Sequence, residues 1–136
     1  MTIDEIQQSI IEEFSVYTDY LDKYQALMNI ARKCQTIDKS LKTEKNLVNG
    51  CQNNVWMAYH VENGVLIYEF DSDSSIAKGI IALIMRAVNN HTPQEIANTE
   101  LYFIEEIGLK DQLSNTRGNG MRIILDKITE IANSLL

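Results

Sequence analysis

Asn63-Gly64 falls between two largely apolar runs, 55–61 and 65–70, and no other dipeptide in the chain constrains its fold as tightly. A two-residue type I′ turn needs positive φ at both central positions. Asn tolerates this and Gly adopts it at no steric cost, so the pair predicts a β-hairpin. The register follows by arithmetic. Glu62 stands opposite Val65, Val61 opposite Leu66, Tyr59 opposite Tyr68 and Met57 opposite Phe70, making one face almost wholly apolar. The other face sets Trp56, Ala58, His60 and Glu62 against Val65, Ile67, Glu69 and Asp71, a mixed surface expected to be half solvated.

Away from the hairpin the apolar residues recur at helical intervals. Thr2-Ile3-Asp4-Glu5 has capping-box spacing and opens a helix to about Phe14 through Ile6, Ile10 and Ile11. A second helix starts near Thr18 or Asp19, with Leu21, Tyr24, Leu27, Met28, Ala31 and Cys34 on its inner side. The polar, lysine-rich stretch 35–46 reads as an irregular connector. Past the hairpin, Asp71-Ser72-Asp73-Ser74 supplies N-cap oxygens, Asp73 among them, for a buried helix from about Ser75 to Asn89. Gly79 inside that helix costs about 1 kcal/mol against alanine, so close packing against another backbone is expected, with the hairpin as the neighbour. Thr92-Pro93-Gln94-Glu95 is a second capping box with proline at the first helical position. Short helical pieces are predicted over 101–107 and 109–113. Ser114 then caps a last helix whose inward stripe is Met121, Ile124, Leu125, Ile128 and Ile131. The expected architecture is α+β: a small antiparallel sheet of two to three strands, the third a short one before Cys51, packed against several helices.

With 136 residues, 45% of them hydrophobic, the chain can bury one core without disulfide or metal staples, which predicts a single domain over 1–136. Lys+Arg 12 against Asp+Glu 19 gives a net charge of −7, and the basic residues read as singly scattered, which disfavours nucleic acid and anionic membrane as partners. Two cysteines, no charged-then-apolar leader and no apolar run long enough to span a bilayer point to a reducing, cytoplasmic setting. Neither a C-x-x-C pair nor a Cys/His cluster at metal spacing is present, which disfavours a zinc site or redox dithiol. Cys34 shares a helical stripe with Leu27 and Ala31 and reads as a small core residue.

Cys51 is different. Gly50 can take positive φ, and Asn49, Asn53 and Asn54 favour turns, so the sequence presents this thiol at a loop tip just before the apolar run begins at Val55-Trp56. Exposed thiols are oxidation liabilities, and one kept on a loop points to chemistry more than to packing. No Lys, Arg or His lies beside it in sequence, and an unperturbed thiol with a pKa of about 8.5 is only slightly ionised near neutrality. A hydrolase or transferase with Cys51 as nucleophile would need His60 or His91 as base. The hairpin register sets His60 several residues along the strand, on the mixed face. His91 reads as a surface residue ahead of the Thr92 cap. A cluster scaffold would need several converging thiolates, and an interaction module would leave the cysteine incidental.

The chain resembles the SufE family of sulfur-acceptor proteins. Gly50-Cys51-Gln52 followed by Val55-Trp56 matches the family's cysteine loop, although Asn53 stands where members commonly have serine. Asp71-Ser72-Asp73 with Ile76, Lys78 and Gly79 matches its aspartate-rich helix start, and Thr92-Pro93-Gln94-Glu95-Ile96 and Thr116-Arg117 with Gly120 match its later motifs, in family order over nearly the whole chain. The resemblance implies a SufE/IscU-like fold and a persulfide relay. The loop cysteine, here Cys51, takes sulfur from a pyridoxal-phosphate-dependent cysteine desulfurase (SufS-like), stimulates that enzyme, and passes the sulfur to an iron–sulfur scaffold (SufBCD-like). Gly50, Asp73 and Arg117 hold supporting or docking positions. The resemblance further implies no cofactor of the chain's own, an apolar recess that shelters the sulfur, for which Leu47, Val48, Val55 and Trp56 are the candidates, and a monomer or weak homodimer.

Overall fold

The computed structural model describes residues 1–51, 53–108 and 115–136, and for 115–120 the backbone alone. The elements run α1 (Ile3–Phe14), α2 (Tyr20–Lys33), two single 3₁₀ turns (Lys39–Leu41 and Glu44–Asn46), β1 (Val55–Glu62), β2 (Val65–Ser72), α3 (Ser75–Val88), α4 (Pro93–Ala97), α5 (Phe103–Glu106) and α6 (Asn115–Ser134). The fold is α+β, with a two-stranded antiparallel sheet among the described residues.

The hairpin forms in the predicted register, from Glu62 opposite Val65 to Val55 opposite Ser72, and Asn63 and Gly64 take φ of 52° and 81°, as a type I′ turn requires. Its apolar face is covered unevenly. Leu66, Tyr68 and Phe70 of β2 are buried, whereas β1 is buried only at Val55 and Met57, and Tyr59 and Val61 are exposed. The predicted apolar face is therefore buried along β2 and at the base of β1 and open toward the turn. The segment after α3 explains the asymmetry: Leu66 N–H donates to the His91 carbonyl at 2.8 Å and the Asn89 side chain bonds both Tyr68 backbone groups, so β2, not β1, is backed there. No third strand forms before Cys51 among the described residues; an isolated bridge from Leu47 to Trp56 stands in its place.

Both capping boxes are made, at Thr2–Glu5 and Thr92–Glu95, and Asp19 caps α2. Central in the molecule is α3, where Ile80, Ile81, Leu83, Ile84, Ala87 and Val88 are all inaccessible to solvent. It packs against α1, α2 and β2. Gly79 is the point of closest approach, but its neighbour is α2, not the hairpin: a Cβ there would lie 2.8 Å from the Leu27 carbonyl carbon and 2.9 Å from the Leu27 Cβ. Leu21, expected inside, is exposed, and Cys34, expected in the core, is the half-buried C-cap of α2 with its Sγ 3.3 Å from the Ala31 carbonyl. Met121, Ile124, Ile128 and Ile131 of α6 face the core as predicted. The helical piece over 109–113 and the Ser114 cap lie outside the described residues.

Candidate functional site

Loop 49–54 is closed at its base from two sides. Val48 donates its N–H to the Val55 carbonyl at 2.8 Å, beside the Leu47–Trp56 bridge. Opposite, Asp73 N–H donates to the Asn54 carbonyl at 3.2 Å, and Asn54 N–H donates to the Asp73 carboxylate at 3.1 Å. The Asp73 side chain is therefore a fastener of the cysteine loop and not the predicted helix cap. That cap is Ser74, which accepts from Ala77 N–H at 3.3 Å. Chain geometry decides between the two: with α3 starting at Ser75, Ser74 holds the capping position and Asp73, one residue earlier, meets the neighbouring loop.

Gly50 turns the loop with φ 94°, and its tip rests on α6, where an added Cβ would approach Ile123 Cδ1 to 2.9 Å. Asn49, Gly50 and Asn54 take the exposed positions. Cys51 itself is half-buried and packed against the hydrophobic core, and neither it nor Cys34 forms a disulfide. The sequence placed this thiol outward; the turn at Gly50 instead folds it partly inward. Burial pushes the Cys51 thiol up, so the resting group is protonated, and a half-buried, protonated sulfur is a poor target for oxidants. Of the residues expected to shelter it, Val48 and Val55 are buried and Leu47 and Trp56 half-buried. Gln52 lies outside the described residues, and of Thr116, Arg117 and Gly120 the backbone alone is described.

A cluster beside the loop escaped the sequence reading. Asp71, opposite Trp56 in the register, takes the Lys42 ammonium at 3.0 Å and the Lys78 ammonium at 3.3 Å, and Lys42 Nζ also lies 4.5 Å from the centre of the Trp56 ring. Burial alone would raise the Asp71 carboxyl, but hydrogen bonds from Lys42, from the Ser72 backbone N–H and from Lys78 outweigh it and hold the carboxyl below its ordinary value. The register carried half of this signal, the Asp71–Trp56 pair. The other half is a tertiary contact from the connector, which no local spacing reveals.

Neither histidine can serve Cys51. His60 is exposed, with Nε2 3.6 Å from Glu62, and lies five residues along β1 from Val55, about 17 Å at strand rise. His91, expected at the surface, is buried, with Nε2 2.9 Å from the Met1 carbonyl and Nδ1 3.0 Å from the Asn89 carbonyl. It flanks Leu66, near the turn end of the hairpin, away from the loop. Among the described residues no group of three or more His, Cys, Asp or Glu could hold a metal ion, and no helix is long and apolar enough to cross a membrane.

Hairpin, helices and loop together define an α+β protein that carries one partly sheltered thiol on a turn fastened at both ends. The chain belongs to the SufE family: the family described as "SufE: Fe-S metabolism associated domain" matches residues 8–132. It is 31% identical over 123 residues to the sulfur acceptor protein CsdE of Escherichia coli, covering 89% of this chain and 84% of that one. It is 34% identical over 111 residues to an uncharacterized SufE-like protein of Synechocystis, covering 82% of this chain and 70% of that one. A solution structure of a hypothetical protein from Thermus thermophilus shares the fold, with a TM-score of 0.76 at 18% identity over 95% of this chain and 94% of that one.

Proposed function

We propose that this protein is a cytoplasmic, single-domain sulfur carrier, with Cys51 as the acceptor. A pyridoxal-phosphate-dependent cysteine desulfurase presents a persulfide on its own cysteine. The Cys51 thiolate attacks the terminal sulfur, the S–S bond of the donor breaks, and its electron pair leaves with the donor's thiolate, which regains a proton from solvent. No external oxidant or reductant is needed: one persulfide is exchanged for another, and the freed desulfurase turns over faster. A second exchange of the same kind passes the sulfur to an iron–sulfur scaffold. Family membership and the likeness to a sulfur acceptor protein support the class of reaction.

The observation that carries the reading is the setting of Cys51, half-buried against the core on a turn, where burial pushes its thiol up. Such a thiol is quiet when free and must be deprotonated on docking, so its activation belongs to the complex. Asp73 holds the loop base, and Arg117 keeps the supporting or docking role that the family resemblance implies. No cofactor is required of this chain. Incubation with a desulfurase and free cysteine should add one sulfur to the peptide containing Cys51, removable by reductant and seen by mass spectrometry. Cys51→Ser should abolish both the adduct and the stimulation of the desulfurase while leaving the fold intact. A Cys51→Ser protein that still stimulates turnover overturns the proposal.

A further inference from the structure

The inward stripe of α6 is Met121, Ile124, Ile128 and Ile131, and Ile123 stands beside it, not in it. Its neighbours three, four and seven residues away on its own side of the helix are Gly120, Asp126, Lys127 and Glu130, so the core pattern of α6 does not account for an apolar residue there. Ile123 is nevertheless half-buried and packed against the core, as Cys51 is. The loop tip accounts for it. A Cβ built on Gly50 would lie 2.9 Å from Ile123 Cδ1 and 4.0 Å from its Cγ1, so the glycine lies against the end of that side chain. The base of the loop is tied differently, by hydrogen bonds on both sides, Val48 to Val55 and Asn54 to Asp73. The loop therefore has a polar hinge and an apolar resting point.

We infer that Ile123 is a positioning residue of the sulfur relay: acting through Gly50, it keeps the loop tip on α6 and Cys51 half-buried until a partner docks, and then lets the tip lift. This rests on the relay reading and adds to it the residue that sets how readily the thiol comes out. The chemistry of the contact suits a part that must both hold and release. Breaking a hydrogen bond away from water strands a donor or an acceptor, whereas lifting a glycine off a methyl group only uncovers apolar surface. The base can thus stay tied while the tip moves. Isoleucine is branched at Cβ and stiff at χ1, so the body of the side chain stays fixed and Cδ1 alone turns about χ2. The same contact guards the product. Once Cys51 is loaded, the terminal sulfur lies about 2 Å beyond Sγ, and a tip held on α6 limits the access of small thiols and oxidants to it.

The test compares Ile123→Val, which removes Cδ1 alone, with Ile123→Ala and with Leu125→Ala, which trims a half-buried leucine about 200° round the same helix. Alkylation of Cys51 by iodoacetamide at pH 7 should rise about threefold in Ile123→Val and about tenfold in Ile123→Ala, as expected for losing one and three half-buried carbons, and should stay within about twofold of wild type in Leu125→Ala. With a desulfurase and free cysteine, the carrier concentration giving half-maximal loading of Cys51, read by mass spectrometry, should fall severalfold in Ile123→Ala at an unchanged saturated rate, because the lifted loop that docks is more populated. Loaded Ile123→Ala should also lose its sulfur faster to dithiothreitol, whose thiolate takes the terminal sulfur while Cys51 leaves as the thiolate. A protein that is merely less stable would not load at lower concentration. Ile123 variants that alkylate no faster than Leu125→Ala, or Ile123→Ala protein that needs as much carrier as wild type or more, overturn the positioning role alone. Wild-type protein that acquires no sulfur overturns the relay and this role with it.

Discussion

A β-carbon added at Gly50 would meet the free end of the Ile123 side chain, which can swing aside, so its cost is set by the backbone. Alanine held at φ 94° costs on the order of 1–2 kcal/mol, and relaxing that strain would pull the loop off α6. Gly50→Ala should therefore lower stability modestly and speed alkylation of Cys51 by iodoacetamide at neutral pH, an increase that a purely structural glycine would not produce. Wild-type alkylation should be slow at pH 7 and should titrate above the ordinary thiol value of about 8.5, because burial disfavours the thiolate. Asp73→Ala removes one exposed hydrogen bond and should cost no more than about 1 kcal/mol, while raising the same alkylation rate severalfold. Cys51 was legible because Gly and Asn declare a turn whatever surrounds them. Its half-burial and the fastening by Asp73 were not, because both depend on residues far along the chain, Ile123 on α6 and Asp73 ahead of α3, which reaches back to Asn54.

Between elements, the α2–α3 contact is the tightest seam. Helix propensity favours Gly79→Ala by about 1 kcal/mol, but the new methyl would press on the Leu27 backbone, which cannot turn away as a side chain can. The seam should win: Gly79→Ala is expected to lose about 2 kcal/mol net, read as a lower urea midpoint with an unchanged slope. A stabilised variant would mean that the helices slide apart at no cost. The hairpin was legible in the chain down to its register because a two-residue turn fixes every later pairing. The partner of Gly79 was not, since a glycine in a helix states that something comes near without stating what. Nor was the exposure of Tyr59 and Val61, because alternation tells which residues share a face but not how far the covering helices reach.

At the scale of the molecule, Asp71 joins what the chain keeps apart, the connector through Lys42, α3 through Lys78 and β1 through Trp56 opposite it. Its side chain is only 14% exposed, so solvent screens these pairs weakly, and removing the charge would leave two ammonium groups facing one another. Asp71→Asn should cost about 2 kcal/mol at pH 7, between the values for exposed and for fully buried pairs. The pH dependence separates charge from packing. Because the folded carboxyl lies below its unfolded value of about 3.9, its contribution is complete above that pH and disappears as pH falls through the folded value. The stability gap between wild type and Asp71→Asn should thus hold constant from about pH 7 to pH 5 and close below about pH 4, measured by urea denaturation across that range. A gap that survives to pH 2 would assign the loss to the shape of the amide and not to its missing charge. The cluster would then count as packing around Trp56, and the connector would be held to the hairpin by the Val48–Val55 hydrogen bond, the Leu47–Trp56 bridge and the Ile37 N–H on the Phe70 carbonyl.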